Sequence, residues 1–456
     1  ADFDWQVTSQ DNTINDRIGN VIQNANTHNI NTTFAFEKFY KKLNFERFLL
    51  TKAQRKRNRV LRRSGKIVAP IRRNKNKKLP LGKRLLKGAF DIVTSVKQGK
   101  ISYSENNGQL LPGYDETVGF LGGAPTSFAF GSQVDIRNKA LMNGWLVDPR
   151  ALEDDLSTPD IDESAYFNKT YRKTHYNKLD YSFTLKPFKD LNIDVIGNKI
   201  QTRDLQQQLD VIVDTSNPDN LFGIIDTRAA AFENGNFSTS YAMIGTSFSD
   251  GDALFQKMKD YRVGLSKRVA TQNGINVNLP STPYNEDGTV TGFGATSQQV
   301  LLPAFMAAYS GRDPEKISTG LFRDIPIPNW TLRYNGLMKR KWFKKNFSTF
   351  VISHGYRSSY TVSSFTNNLQ FNDDAANPNF NAAENREPEL LVSAVTLVDE
   401  FSPLIKVDMK MKNSFSLRGE VKRDRTLTMN FNNSTLTDIK GTEYVLGMGY
   451  VIKDVK

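Results

Sequence analysis

The amino-acid sequence predicts an all-β protein built from antiparallel strands, and three observations lead to this prediction. Short segments alternate apolar and polar residues through most of the chain, turn-forming residues separate them, and some connecting loops are short while others are long. Side chains in a strand point alternately to opposite faces, so each segment has one apolar and one polar face. No apolar run is long enough for a transmembrane helix, and the mean hydropathy is −0.49.

Composition narrows the function classes. The chain has 456 residues, a formal charge of +13, no cysteine and three histidines. Its length exceeds the roughly 250–300 residues of one compact core, so several domains or one very large sheet are expected. The lack of cysteine excludes disulfides, thiolate zinc sites and cysteine nucleophiles. His28, His175 and His354 stand alone in the sequence, so no metal or other cofactor is expected.

The elements follow in order along the chain. Residues 1–50 are expected to form barrel-type strands, and residues 51–90 a basic loop. Residues 91–200 are expected to form further strands with glycine-rich loops and a hairpin near 178–196. Within that hairpin, Leu179, Tyr181, Phe183 and Leu185 alternate with polar residues, and the pattern returns after a break at Pro187–Asp190.

The basic loop holds most of the net charge. It contains 16 Lys and Arg residues and no acidic residue, which leaves 45 basic against 48 acidic residues elsewhere. Aromatic residues that could stack on bases are missing from residues 51–89, and the chain has no nucleic-acid-binding signature, so no nucleic-acid partner is expected. A solvated loop or a segment near anionic lipid headgroups fits the charge better.

The second half is predicted to combine strands with two short helices. Residues 201–310 are expected to hold strands and loop helices near 252–268 and 298–309, where apolar residues recur at helical spacing. These helices would plug or cap a sheet. Residues 311–456 are expected to form an antiparallel meander, with four strands after Ile405 and short turns at Asn413 and Asp424. Long loops are expected at 197–204, 273–296 and 366–388.

Two architectures share this pattern. In a soluble sandwich the apolar faces pack on a second sheet; in an outer-membrane barrel they meet lipid and the polar faces line a lumen. The unequal loops favour an antiparallel transmembrane β-barrel. The lumen-facing candidates are then Arg357, Ser359, Thr361, Arg418, Glu420 and Lys422. The candidates for facing lipid or a partner are Leu446, Met448, Tyr450, Met409 and Met411.

Catalytic chemistry is not indicated. The sequence has no nucleophile elbow, no phosphate-binding loop with a following Lys-Ser/Thr, and no zincin helix. Asn285–Gly288 resembles the start of a calcium loop, but the terminal glutamate is not at the required spacing. The sequence therefore predicts a protein that is not an enzyme.

Several short motifs occur in one order along the chain. They include the residues Tyr103, Glu105, Asn106, Asn107, Gly108, Pro112, Gly113 and Tyr114, and later Pro328, Asn329 and Trp330. Gly119–Gly122, Phe130–Gln133, Asn143–Leu146, Leu302–Phe305, Ala308–Gly311, Ile325–Ile327, Tyr334–Leu337, Ser353–Tyr356, Phe401–Leu404 and Thr442–Gly447 complete the set. Together they resemble the SprA/Sov family of outer-membrane translocons of the type IX secretion system in Bacteroidetes. The chain resembles only the C-terminal portion of that family, whose members are several times longer.

The resemblance implies a specific setting. The chain would be a sector of a very large single-chain barrel in the bacterial outer membrane, through which folded cargo proteins pass without bond chemistry. Implied partners are a PorV-like shuttle barrel, a periplasmic plug protein, secreted cargo and outer-membrane lipid. The motif residues would be ordered wall or loop structure and would not form an active site. A soluble secreted β adhesin or binding protein is the alternative.

Overall fold

The computed structural model describes most of the chain. The described residues are 2–8, 15, 18–43, 94–115, 126–147, 170–209, 211–213, 224–226, 230–374 and 377–452. The basic loop at 51–90 and the motif at Gly119–Gly122 lie outside them. The fold is mostly antiparallel β-sheet, with 52% of the described residues in strands and few helices.

Fourteen strands and six α-helices are present in the described part of the chain. The strands are β1 Asp2–Gln6, β2 Asn20–Ala35, β3 Val96–Tyr114, β4 Thr170–Phe188, β5 Leu191–Gln208, β6 Val211–Val213, β7 Ile224–Asp226, β8 Phe232–Ser240, β9 Asn329–Tyr334, β10 Phe347–Asn367, β11 Leu390–Val392, β12 Ala394–Met411, β13 Phe415–Asn430 and β14 Thr435–Tyr450. The helices are α1 Phe36–Leu43, α2 Thr126–Ala129, α3 Arg137–Met142, α4 Gly251–Gln272, α5 Gln298–Ser310 and α6 Lys341–Asn346.

Twelve strands form one sheet, in the order β1-β2-β3-β4-β5-β8-β10-β12-β13-β14, with β9 and β11 alongside β10. Strands β8 and β9 both lie between β5 and β10: β8 pairs with one half of these strands and β9 with the other half. They therefore act as one strand that residues 241–328 interrupt. Strands β6 and β7 form a separate two-stranded sheet.

The predicted hairpin is confirmed, and its strands are longer than the alternation indicated. Strands β4 and β5 pair from Thr170↔Gln208 to Phe188↔Leu191. The long loop expected at 197–204 is wrong, because these residues belong to β5. The turn expected at Asp424 is also wrong, because β13 is continuous there. From Ile405 onward the chain forms three strands, β12, β13 and β14, where four were predicted. Both errors arise because backbone pairing continues where the apolar alternation is lost.

Residues 1–50 also depart from the expectation, since α1 follows β2 directly at Phe36–Leu43. Both loop helices are confirmed, over Gly251–Gln272 and Gln298–Ser310. Every residue of α5 from Val300 onward is buried, so this helix is enclosed on all sides. No helix in the described residues is long and apolar enough to cross a membrane.

Two compact lobes pack on the sheet. The large lobe comprises residues 241–328 with the 368–393 connection, and α4 packs on α5 within it. Its core is shared with sheet residues of β8, β10, β12 and β13, including Phe237, Tyr360, Phe365, Leu397 and Leu427. The small lobe comprises residues 126–147 and shares a second core with Ile22, Leu111, Tyr114 and Tyr171.

One edge of the sheet carries short connections and is called the short-turn edge. Two residues join β4 to β5 there, and three join β12 to β13. The β9–β10 connection, Asn335–Asn346, lies at the same edge and holds α6. Strand β2 ends and β3 begins at this edge, since Ala35 pairs with Gln98. The lobes lie toward the opposite edge.

Candidate functional site

The strand register sorts side chains onto two faces of the sheet. Directly paired residues of antiparallel strands point to the same side. Following these pairs across the sheet places Tyr360, Leu397 and Leu427 on one face, where the large lobe packs. We call this the lobe face. The opposite, open face carries Ser359 and Thr361.

Toward the short-turn edge, the described residues of the two lobes leave most of the lobe face open, and it forms an apolar band there. One chain of pairs runs Leu191↔Tyr334↔Ile352↔Val407↔Gly419↔Leu446. The band crosses nine strands, β2 to β5, β9, β10 and β12 to β14. Its residues include Ile30, Phe34, Ile101, Leu179, Tyr181, Phe183, Leu185, Ile193, Val195, Leu332, Phe350, Ile352, Val407, Met409, Met411, Leu417, Tyr444, Leu446, Met448 and Tyr450.

The band is most exposed on β14, while its residues on the inner strands β3 to β5, β9, β10, β12 and β13 are half-buried. Tyr444 is 78% exposed, Leu446 and Met448 are each 72% exposed, and Tyr450 is 65% exposed. Soluble monomers rarely expose a contiguous apolar patch larger than about 300–600 Å². A band of this extent on one face marks a surface that contacts lipid or another protein.

The open face is polar and rich in ion pairs. Arg418 pairs with Glu420 at 2.6 Å, and Lys422 pairs with Glu443 at 3.0 Å. Arg357 lies opposite Glu400 on β12. Ser359 and Thr361 follow on β10, and the Thr361 hydroxyl lies 3.0 Å from the Ser238 hydroxyl. Salt bridges on an exposed surface contribute little stability, so their consequence here is a hydrated, charge-balanced wall.

All six lumen-facing candidates thus lie on the open face, and all five lipid- or partner-facing candidates lie on the lobe face. Tyr356, Tyr360 and Val362 share the lobe face but are buried beneath the large lobe or its junction. The apolar residues of β10 therefore pack against the large lobe at one end of the strand and belong to the open band at the other end.

The interrupted strand is held together at its break by side chains of two motifs. The Asn329 side chain accepts a hydrogen bond from the Ser358 backbone N–H at 2.7 Å, which replaces a ladder bond lost between β8 and β9. Tyr356 accepts one from the Met243 N–H at 2.8 Å, and its ring stacks on Trp330 with centroids 4.6 Å apart. The large lobe thus leaves the sheet through a fixed junction.

A buried ion pair between β13 and β14 holds the large lobe to these two strands. The Arg425 guanidinium donates to both carboxylate oxygens of Asp438, at 2.9 and 2.7 Å, and to the Thr246 carbonyl at 3.3 Å. Its side chain is 3% exposed. It also lies 5.4 Å from the ring centroid of Tyr309, whose pKa burial raises to about 12. Sequence reasoning missed this contact because the two residues are separated from the lobe by long stretches of chain.

The motif around Tyr103 belongs to β3. Tyr103, Glu105 and Asn107 lie on the lobe face, where Tyr103 donates to Glu105 at 2.8 Å and Asn107 donates to Glu105 at 3.0 Å. Asn106 and Gly108 alternate onto the open face. Near the end of the strand, Tyr114 is buried against Trp145 of the small lobe. Of the remaining motif residues, Pro112 and Gly113 directly precede Tyr114 in β3, and Pro328 directly precedes β9.

The small lobe is fixed by polar contacts from buried strand residues. Asn24 donates to the carbonyl of Phe128 at 2.8 Å and to that of Ser132 at 3.0 Å. Tyr171 donates to Gln109 at 2.9 Å. Asn24 thus satisfies two backbone carbonyls of the small lobe, and the Tyr171 hydroxyl is paired with the Gln109 side chain, so these contacts are structural.

Ligand chemistry is sparse in the part of the chain that the structure describes. It holds no group of three or more His, Asp or Glu residues that could bind a metal ion. Asn285–Gly288, the stretch like a calcium loop, forms a turn in which Asp287 accepts hydrogen bonds from Thr289, and these bonds lower the Asp287 pKa.

No protein-family model matches the chain, and no curated protein matches it either.

Proposed function

We propose that the sheet is a sector of the wall of a protein-conducting outer-membrane β-barrel, a translocon of the type IX secretion class. The observation that carries the proposal is the uncovered apolar band, which continues across nine strands on one face while the other face is charged and hydrated. In this arrangement the band meets lipid or a partner barrel, and the open face lines a wet passage.

The physics of the bilayer supports this reading. Backbone donors and acceptors inside lipid must be satisfied within the protein, which a closed antiparallel sheet achieves. Among the described residues, β1 and β14 are paired on one side only, so the proposal requires further strands to close these edges. On β4 the band runs from Leu179 to Leu185, about 20 Å along the strand, which at the roughly 35–45° tilt of barrel strands covers about 15 Å of the ~25 Å apolar height of outer-membrane barrels.

In this proposal the chain performs no bond chemistry. Cargo proteins pass along the open face, where paired charges such as Arg418 and Glu420 give an apolar patch of cargo nothing to adhere to. The partners that the resemblance implies, a PorV-like shuttle barrel and a periplasmic plug protein, would gate the passage. Lipid contacts the band.

Site-specific photocrosslinking in the native organism tests the proposal. A benzophenone amino acid at Ser359 on the open face should capture secreted cargo, whereas the same group at Leu446 on the band should capture lipid or membrane proteins. Cargo adducts at Leu446 and none at Ser359 would overturn the assignment. The intact mass of the native polypeptide is a second measurement: a value several times 51.5 kDa is expected, because a chain of this length supplies too few strands for a giant barrel.

The soluble adhesin alternative makes a different prediction. It requires the apolar band to be covered by a second sheet, and within the described residues the exposed Tyr444, Leu446 and Met448 have no such cover. A polypeptide that stays folded and monodisperse after removal of all detergent would favour the alternative over the translocon.

A further inference from the structure

The β9–β10 connection is a compact basic element at the short-turn edge. Between Asn335 and Asn346 the chain has five basic residues and no acidic one. Lys339 pairs with Asp190, but no ion pair involves Arg340, Lys341, Lys344 or Lys345 in the described part of the chain. All four of these side chains are exposed.

The element is held rigidly against the sheet. At the start of the element, the Asn335 N–H donates a hydrogen bond to the Asp190 carbonyl in the β4–β5 turn at 3.0 Å. At its end, the Asn346 carbonyl accepts a hydrogen bond from the Lys412 N–H in the β12–β13 turn at 3.1 Å. Both ends are therefore fixed to the two short turns, and the four free charges have a defined position relative to the sheet.

An aromatic cluster joins this element to the apolar band. Phe343 packs edge-to-face on Phe350, with ring centroids 4.8 Å apart, and Phe350 lies directly opposite the band residue Met409. Trp342 packs on Phe343 at 5.0 Å but stays 62% exposed. The band therefore ends, at this edge, in an exposed tryptophan with free positive charges beside it.

This order of surfaces matches the profile of one bilayer leaflet. Apolar side chains suit the hydrocarbon, and tryptophan prefers the interface because its ring is apolar and its N–H is polar. Lysine and arginine at the headgroup level are attracted by anionic lipids. An acidic protein surface would match the charges but would leave Trp342 and its continuity with the band unexplained.

We propose that Arg340, Lys341, Lys344 and Lys345, together with Trp342, form a binding site for anionic phospholipid headgroups at the short-turn edge. The site anchors the sheet at a fixed depth and concentrates anionic lipid beside β9 and β10. This inference rests on the proposed membrane location of the band. It adds a ligand class, an anionic phospholipid, and the residues that select it.

Fluorescence quenching by brominated lipids tests the site. The full-length protein is reconstituted in phosphatidylcholine bilayers that contain brominated phosphatidylglycerol or brominated phosphatidylcholine at equal mole fraction. The Trp342 signal is the difference between the parent protein and the Trp342→Phe variant, because the chain has four tryptophans. Each basic residue near an anionic surface contributes roughly fivefold in affinity, so a preference for phosphatidylglycerol of at least about fivefold is expected. The preference should vanish at about 1 M salt, where the Debye length is ~3 Å.

Two variants identify the residues responsible. Changing Arg340, Lys341, Lys344 and Lys345 together to glutamine should abolish the preference while Trp342 remains quenched by both lipids. The control changes Lys257, Lys259 and Lys267 of α4 to glutamine. Lys257 and Lys267 are exposed and Lys259 is half-buried, and these changes in the large lobe should leave the preference unchanged.

The outcomes separate this inference from the proposed function. Equal quenching by both lipids in the parent protein would overturn the anionic-lipid site and leave the membrane location standing. A preference that survives the fourfold change, or that the control removes equally, would also overturn it. No quenching of Trp342 by either lipid would refute the location of the band in the bilayer, and the proposed function with it.

Discussion

Arginine at Leu446 should prevent stable membrane insertion, whereas arginine at the neighbouring Val445 should not. Leu446 lies on the lobe face and Val445 on the open face of the same strand, opposite Glu420. Leu446 is four residues from the strand end at Tyr450, about 14 Å along the strand. At the roughly 35–45° tilt of barrel strands this is a depth of about 10 Å, near the middle of a ~25 Å apolar belt.

The magnitude follows from this depth. Arginine on the lipid face of a barrel costs about 2–4 kcal/mol at the bilayer midplane and less than about 1 kcal/mol near the interfaces. In water, a substitution at a residue exposed to 72% changes stability by no more than about 0.5 kcal/mol. The two surroundings of Leu446 therefore differ by at least about 1.5 kcal/mol, more than tenfold in the folded-to-unfolded ratio.

The assay is urea-dependent folding of the full-length polypeptide into lipid vesicles, followed by heat-modifiable gel mobility. Leu446→Arg should lower the free energy of unfolding by about 2–4 kcal/mol, because the guanidinium enters hydrocarbon. Val445→Arg should change it by less than about 1 kcal/mol, and Leu446→Ala separates the lost apolar area from the added charge. Equal and small effects of both arginine variants would refute the assignment of the faces.

Three further predictions concern the lobes and their junction. Asp438→Asn should leave the buried Arg425 without its carboxylate partner and weaken docking of the large lobe by about 3–5 kcal/mol. Hydrogen exchange should then be faster in α4 and α5 and unchanged in the sheet. Gly355→Ala should destabilise the junction by about 1–3 kcal/mol in urea titrations, because the new Cβ would lie 2.8 Å from the Ser402 carbonyl oxygen. The pKa of Asp287 is lowered by hydrogen bonds from a nearby threonine, so its turn is stabilised above about pH 4 and loses that stability as the pH falls through the folded-state pKa. Amide exchange in that turn should show this acid dependence, and Asp287→Asn should remove it.

The alternation of apolar and polar residues predicted much of the sheet, and its failures have one cause. The hairpin of β4 and β5 and the helices α4 and α5 are where the sequence placed them. The alternation fails at Asp424 and over Gly197–Asp204, where both faces carry polar or small residues apart from Ile200. Backbone hydrogen bonds continue there because they need no apolar side chain.

The lobe contacts lay beyond sequence reasoning. Arg425 bonds the Thr246 carbonyl across 179 residues of chain, and no local pattern signals such a pairing. The lipid site did leave a signal, since five basic residues flank Trp342 with no acidic residue between Asn335 and Asn346. That signal gains meaning only when the strand pairing places it at the end of the apolar band.

Strand length explains why one face carries both a lobe and a bare band. A barrel strand needs about 9–11 residues to cross a bilayer. Strand β10 has 21 residues, so in a membrane about half of it must extend beyond the hydrocarbon. The extended half keeps the apolar alternation, with Tyr360, Val362 and Phe365 on the lobe face.

If these residues were exposed to water, they would promote aggregation, as any uncovered apolar sheet does. The large lobe buries them, and the break between β8 and β9 lets its chain leave the sheet at the level where the cover begins. In the proposed barrel, the interrupted strand therefore marks the level at which lipid gives way to protein as the partner of the apolar face. The Asn329 and Tyr356 side chains fix that level, because they satisfy the backbone where the ladder is broken.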